Sequence, residues 1–207
     1  NGKGTGAFTT VNKSPKTLSR FGDSQLDTAQ KKFGTASILL DGTEDNVKVP
    51  DDTDFGFGSA NFCLEAFIRP NSVTGIQRIF DLRNASATDT APTMYLNGTT
   101  LHYAVGNTSQ INGGTLATGT WYHVAVARNA GTTKLFLDGT ELGTYTDANN
   151  YEVSKPLIIG SDYQASPTEA FNGHVDEVRI SKGAARFTAG FTPTTSEYGS
   201  DNNTVLL

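Results

Sequence analysis

Apolar and polar residues alternate along most of this chain in short runs, broken by Gly, Asn and Asp. A period of two marks strands with one buried face, because successive side chains point to opposite sides. Strands are predicted at "ASILL" (36–40), "NVKV" (46–49), "NFCLEAFIRP" (61–70), "IQRIFDLR" (76–83) and "TMYLN" (93–97). Five more follow at "LHYAV" (101–105), "WYHVAVARN" (121–129), "TKLFLDG" (133–139), "PLIIG" (156–160) and "GHVDEVRI" (173–180). Residues 121–142 read as a hairpin, two alternating runs around the Gly-containing turn "NAGTT". "KGAARF" (182–187) is predicted to form a single helical turn, and no longer helical period interrupts the strands. Strands at this spacing predict an all-β sandwich or barrel. Residues 1–35 are polar, and 84–93, 106–120 and 161–172 read as long loops, either functional or ornamental.

One strand carries a puzzle. Simple alternation through 173–180 puts Asp176 on the same face as Val178 and Ile180, which would point it at the core. A carboxylate there is costly unless it is hydrogen-bonded, ion-paired or metal-bound. Glu177 and Arg179 share the opposite face and are expected to pair with each other or with neighbouring strands.

Composition narrows the function classes. The 207 residues suit one domain with a sizeable core, and abundant Gly favours a turn-rich β protein. A net charge of −5, with Lys31-Lys32 as the longest basic run, argues against nucleic acid as a partner. No stretch approaches the ~20 apolar residues of a membrane helix, and no secretory leader is visible in a chain that opens at Asn1. Cys63 is the sole cysteine, so no intrachain disulfide forms, and its place within a strand marks it as packing. Trp121, at the start of a strand, is expected in the core.

Three segments carry a resemblance: "KFGTASILLDGTEDNVKVPDDTDFGFGSANFCLEAFIRP", "TWYHVAVARNAGTTKLFLDGTELGT" and "FNGHVDEVRISKGAARFTAGFTPTT". Together, over residues 32–195, they resemble the laminin-G-like group of the concanavalin A-like lectin/glucanase superfamily. The resemblance implies a two-sheet antiparallel jelly roll over residues 1–207. The form "DEVRISKGAARFTAGFTPTT" is most similar to copies in tailed-phage virion proteins, whereas secreted bacterial copies more often continue "DEVRIYNRAL". It implies a non-enzymatic structural or adhesive module on a phage particle, partnered by other virion proteins, further copies of itself or host-surface glycans. The alternative is a carbohydrate-binding module of a secreted bacterial enzyme or adhesin. "DNNTVLL" resembles the opening strand of such a domain, so residues 204–207 are expected to complete a sandwich, their own or a neighbour's, or to fray.

Residue chemistry follows from that frame. Glycoside hydrolysis needs two carboxylates facing one cleft; the family's glucanases carry Glu-x-Asp-x-x-Glu on one strand, and no such pattern exists here. Asp176 and Glu177 are adjacent, and Glu65 is a lone acid, expected to be solvent-facing or paired. His102, His123 and His174 lack metal-ligand spacing. The resemblance implies a structural calcium where an acidic loop meets a C-terminal Asp, which would recruit Asp41, Asp45 and Asp176. The other reading has Asp176 accepting backbone N–H bonds from the 41–46 loop, with no ion. For a glycan, Tyr103, Asp162 and Tyr163 are the first candidates and Arg78 and Asn107 the next, since aromatic faces stack on sugars while short polar groups fix hydroxyls.

Overall fold

The computed structural model describes residues 3–4, 16–84, 86, 89–151, 155–164 and 167–207. In chain order the strands are β1 (Lys3–Gly4), β2 (Ser19–Phe21), β3 (Gln25–Asp27), β4 (Ser37–Asp41) and β5 (Asn46–Asp52). Next come β6 (Phe62–Pro70), β7 (Ile76–Asp81), β8 (Pro92–Asn97), β9 (Thr100–Val105), β10 (Thr108–Gly113) and β11 (Tyr122–Asn129). The last are β12 (Thr132–Leu137), β13 (Thr140–Thr146), β14 (Lys155–Ile159), β15 (Asn172–Lys182) and β16 (Thr204–Leu206). They form two antiparallel sheets packed as a jelly-roll sandwich. The nine-stranded sheet runs β1-β3-β4-β15-β6-β11-β12-β13, with β16 also on β15, and the seven-stranded sheet runs β10-β9-β8-β7-β14-β5-β2.

The core sits between the sheets and follows from alternation. Phe62, Leu64, Ala66 and Ile68 of β6 point inward with Val124 and Val126 of β11, and meet Val47, Leu157, Met94 and Leu96 of the facing sheet. All ten strands expected from alternation are present. The polar N-terminal region also holds β2 and β3, and the expected loop 106–120 contains β10. Residues 183–187 form bends rather than a helical turn; among the described residues the helical structure is one 3₁₀ turn, Thr53–Phe55. Residues 204–206 pair with β15 of the same chain.

Strand β15 resolves the puzzle of Asp176 by breaking the alternation. Asp176 stands opposite Phe67 and Arg179 opposite Glu65, so two residues of β15 face one of β6. Glu177 takes φ 51° at this bulge. The extra residue flips the parity. Val175, Val178 and Ile180 all meet the core, while Asp176 and Arg179 share the outer face. Asp176 accepts N–H bonds from Lys32 (2.7 Å), Phe33 (3.2 Å) and Glu177 (2.9 Å). It therefore anchors the 32–33 segment, not the 41–46 loop.

That outer face is itself covered. After β15 the chain runs back across it as a strap, residues 183–203, placing Phe187 and Phe191 (stacked at 3.6 Å) on Phe136, Cys63, Ala125 and Ala127. Beneath lies Glu65, fully buried, which accepts from Arg179 Nε (2.8 Å) and lies 3.2 Å from His123 Nε2. Burial alone would push its carboxyl up, yet the bonds to His123 and Arg179 hold it below the usual glutamate range. Tyr198 Oη lies 2.7 Å from the same His123 nitrogen, its ring under the Arg179 guanidinium. Of the two partnerships expected for Arg179, the neighbouring-strand one is observed, and Glu177 instead accepts the Tyr198 N–H at 2.6 Å. Trp121 is not in the core: it is half-buried, 6.3 Å from the His174 ring.

Candidate functional site

A second bulge, between Arg78 and Phe80 of β7, shapes the outer face of the seven-stranded sheet. Arg78 and Asp81 are three apart and would alternate to opposite faces; the extra residue puts both outside while Ile79 and Phe80 stay in the core. Arg83, two residues beyond Asp81, joins them. Its guanidinium holds the fully buried Asp81 carboxylate through Nε and Nη2, and Asp81 also receives the Arg83 N–H at 2.9 Å. Burial pushes the Asp81 carboxyl up, against the pull of Arg83. Asn107 Oδ1, on the β9–β10 turn, accepts from both arginines. Arg78 further donates to Glu169 (2.5 Å) and Thr93 (3.1 Å). Tyr95 lies under Arg78 at 4.4 Å and Tyr163 under Arg83 at 4.7 Å. His102 stacks on Tyr95 at 4.9 Å.

This network ties three loops down onto one half of the face. On the other half a cleft of about 270 Å³ remains, over β2, β5 and β14. Phe21, 48% exposed, forms one wall, and Tyr163 and Gln164 form the other. Ile158, Asn46 and Lys48 lie between them, placed outward because Val47, Leu157 and Ile159 point inward. Asp162 lines the cleft with its carboxylate buried: Oδ2 accepts from Gln164 Nε2 at 2.5 Å, and Oδ1 has no partner among the described residues. A buried carboxylate oxygen without a donor is an unmet demand for one. An exposed aromatic wall, an ammonium, an amide and a carboxylate around one cleft suit a polyhydroxylated ligand, whose C–H face stacks while its hydroxyls take the polar groups.

The structure brings together most, not all, of the residues the sequence nominated. Asp162, Tyr163, Arg78 and Asn107 converge on this face. Tyr103 does not: it is fully buried in the core, its hydroxyl 2.9 Å from that of Tyr151, which donates to Asp147. Its neighbour His102 holds the outward position. Phe21, Lys48, Asp81, Arg83 and Tyr95 were missed. The i, i+2 spacing of Asp81 and Arg83 was a readable signal, whereas nothing local announced that β2 would lie beside β5.

The expected calcium ligands do not converge. Asp41 stands opposite Asn172 on β15, four residues from Asp176, or about 13 Å along a strand. Asp45 accepts the N–H groups of Asp23 (2.5 Å) and Asp41 (2.8 Å) on its two oxygens, and Asp176 is taken by three N–H groups. Carboxylates whose oxygens already face N–H donors do not fit a shared cation. Among the described residues no cluster of three or more Asp, Glu, His or Cys is arranged to hold a metal. Nor do Asp176 and Glu177 form a catalytic pair with Glu65, whose oxygens are held by Arg179 and His123.

A family model for the concanavalin A-like lectin/glucanases superfamily matches residues 41–186. No curated protein sequence matches the chain. Among solved structures, the chain is similar to domain 4 of AbnA, a GH43 extracellular arabinanase from Geobacillus stearothermophilus, in complex with arabinotriose. The two are 19% identical with a TM-score of 0.61, over 83% of this chain and 84% of that one. It is also similar to a structure of botulinum neurotoxin type C, a toxin whose cell entry is dependent upon interaction with two ganglioside molecules, at 15% identity and TM-score 0.60. A third likeness is to the binding domain of botulinum neurotoxin serotype C1, at 15% identity and TM-score 0.60. The match covers 86% of this chain in both toxins but only 44% and 45% of theirs, so the chain spans less than half of the toxin chains.

Proposed function

We propose a function from one premise: the chain belongs to the concanavalin A-like lectin/glucanases superfamily. The protein is a non-enzymatic, glycan-contacting module, and its contact surface is the cleft walled by Phe21 and Tyr163. One observation carries this reading, an Asp162 oxygen without a partner among the described residues, in a cleft shared with an exposed aromatic ring and the Lys48 side chain. The arabinotriose complex of the arabinanase domain supports the ligand class. Within that class we place the module on a phage particle, facing other virion proteins on one side and glycans on the other. The form of residues 171–195 supports that setting. Weak single-site affinity is sufficient there, because many copies on one particle raise the effective concentration. A carbohydrate-binding module of a secreted bacterial protein is the second reading, favoured by the same arabinanase likeness.

The test is a glycan array probed with the purified chain, free and coupled in many copies to beads. Beads should be retained on a subset of neutral oligosaccharides, free chain only feebly, and Phe21→Ala should cut retention at least about tenfold, one stacking contact's worth. Reducing ends should not accumulate. Retention unchanged in Phe21→Ala would reject the cleft, and turnover of any polysaccharide would reject the non-enzymatic assignment. Mass spectrometry of purified phage particles separates the virion from the secreted setting.

A further inference from the structure

Within the nine-stranded sheet, β15 is flanked on one side by two strands that never meet. β4 pairs with residues 172–175 and β16 with residues 180–181. Between them residues 176–179, the bulge itself, have no partner strand on that side among the described residues. The gap opens into a groove of about 360 Å³ that reaches between the sheets. Ile38, Ile159, Val178 and Leu206 supply apolar wall, while Asp176, Glu177 and Glu197 supply the charge.

The charge is one-sided. No Lys or Arg lines the groove among the described residues. Arg179 turns to the outer face, onto Glu65 and the Tyr198 ring, and the Lys32 ammonium lies over Phe33 and Phe67. Among the described residues none of the three carboxylates forms an ion pair. Burial pushes the Glu177 carboxyl up, and repulsion from Asp176 and Glu197 adds to it.

We propose that this groove is a docking site for an extended segment of another polypeptide, carrying a Lys or Arg between apolar residues. Main-chain pairing with the open stretch of β15, apart from the Glu177 N–H that Asp176 already takes, holds the segment, as in strand addition to a sheet edge. Apolar side chains at alternate positions enter the groove. The cation's alkyl stem lies along the apolar wall while its head reaches Glu177 and Glu197, since the Asp176 oxygens are already taken by N–H groups. Charge complementarity selects this partner over an acidic or purely apolar one. The site is independent of the glycan cleft.

The experiment uses the full chain, ¹⁵N-labelled, titrated to millimolar concentration with the peptide acetyl-VKVKV-amide and separately with acetyl-VEVEV-amide. The basic peptide should shift amides at 35–38, 176–179 and 206–207, and the acidic one should not. The double variant Glu177→Gln/Glu197→Gln keeps the acceptor for the Tyr198 N–H and should bind at least about fivefold more weakly, as expected for lost ion pairs. Ala36→Trp, a groove-filling change, should abolish the shifts. No shift with the basic peptide, equal shifts with both peptides, or shifts confined to other surfaces would each overturn the proposal. So would a double variant that folds with unchanged melting temperature and binds equally well.

Discussion

Replacing Glu65 by Ala should be among the most damaging single changes in this protein. The side chain is fully buried beneath the strap, with Arg179 Nε and Nη2 both 2.8 Å from Oε1 and His123 Nε2 3.2 Å from Oε2. Truncation removes the counter-charge of Arg179, whose side chain is only 13% exposed. Stranding a buried charge costs about 3–5 kcal/mol. Arg186, whose Nε lies 3.7 Å from the same Oε1, fares better, because Asp201 remains 2.9 Å from its Nη2. For a chain of this size each kcal/mol moves the melting temperature by about 2–4 °C, so the expected fall is roughly 6–20 °C. Glu65→Met combined with Arg179→Met removes both charges and should recover much of the loss, since well-packed apolar replacements of buried pairs are often neutral. The pH dependence has a definite sign. A carboxyl held below its ordinary value contributes stability above that value, and the contribution is lost as the pH falls through the native one. Wild type should thus lose stability on acidification below about pH 4.3 more steeply than Glu65→Gln does. Urea unfolding followed by circular dichroism reads all of these. A loss below about 1 kcal/mol in Glu65→Ala would refute the reasoning, because it would mean the strap does not seal the charge from water.

Asp176→Asn should lower stability by about 1–3 kcal/mol, since an amide cannot accept all three N–H bonds, and a chelator should leave the melting temperature of both forms unchanged. Burial holds the Asp176 carboxyl above its ordinary value, so wild type should gain stability from this residue as the pH falls through that raised value, a slope the Asn variant lacks. Gly139→Ala should lift the strap, because Gly139 has φ +77°, its missing Cβ would run into the Phe191 carbonyl, and its own carbonyl accepts the Phe191 N–H at 3.0 Å. A loss of about 2 kcal/mol or more is expected, with faster tryptic cleavage after Arg186; unchanged melting and cleavage would argue against the contact.

The strands were legible because each half-buried run carries its own signal, as "CLEAFIR" does through Leu64, Ala66 and Ile68 facing in and Glu65, Phe67 and Arg69 facing out. Two short bulges were not, since one inserted residue leaves composition untouched yet reverses every face beyond it. Simple alternation therefore put Asp176 in the core and could not show Arg78 sharing a face with Asp81. The strap was invisible for another reason: Phe187 and Phe191 lie in no periodic run, and only the folded chain brings them over Phe136. Tyr103 shows a related limit. An aromatic at a strand position looks the same from either face, and here the inward one, with Tyr151 and Asp147 to satisfy its hydroxyl, was taken.

The strap also sets a clock. Glu65 meets Arg179 across 114 residues of chain. At a synthesis rate of about 5–20 residues per second, roughly 6–23 seconds separate the two on the ribosome. Once residues 122–136 are made β6 can pair with β11, yet until the strap follows the outer side of the pair, with Cys63, Ala125, Ala127 and Phe136, stays wet. The Cys63 thiol, buried in the finished fold, is therefore open to modification chiefly in the nascent chain, and its labelling there would time the arrival of the last segment.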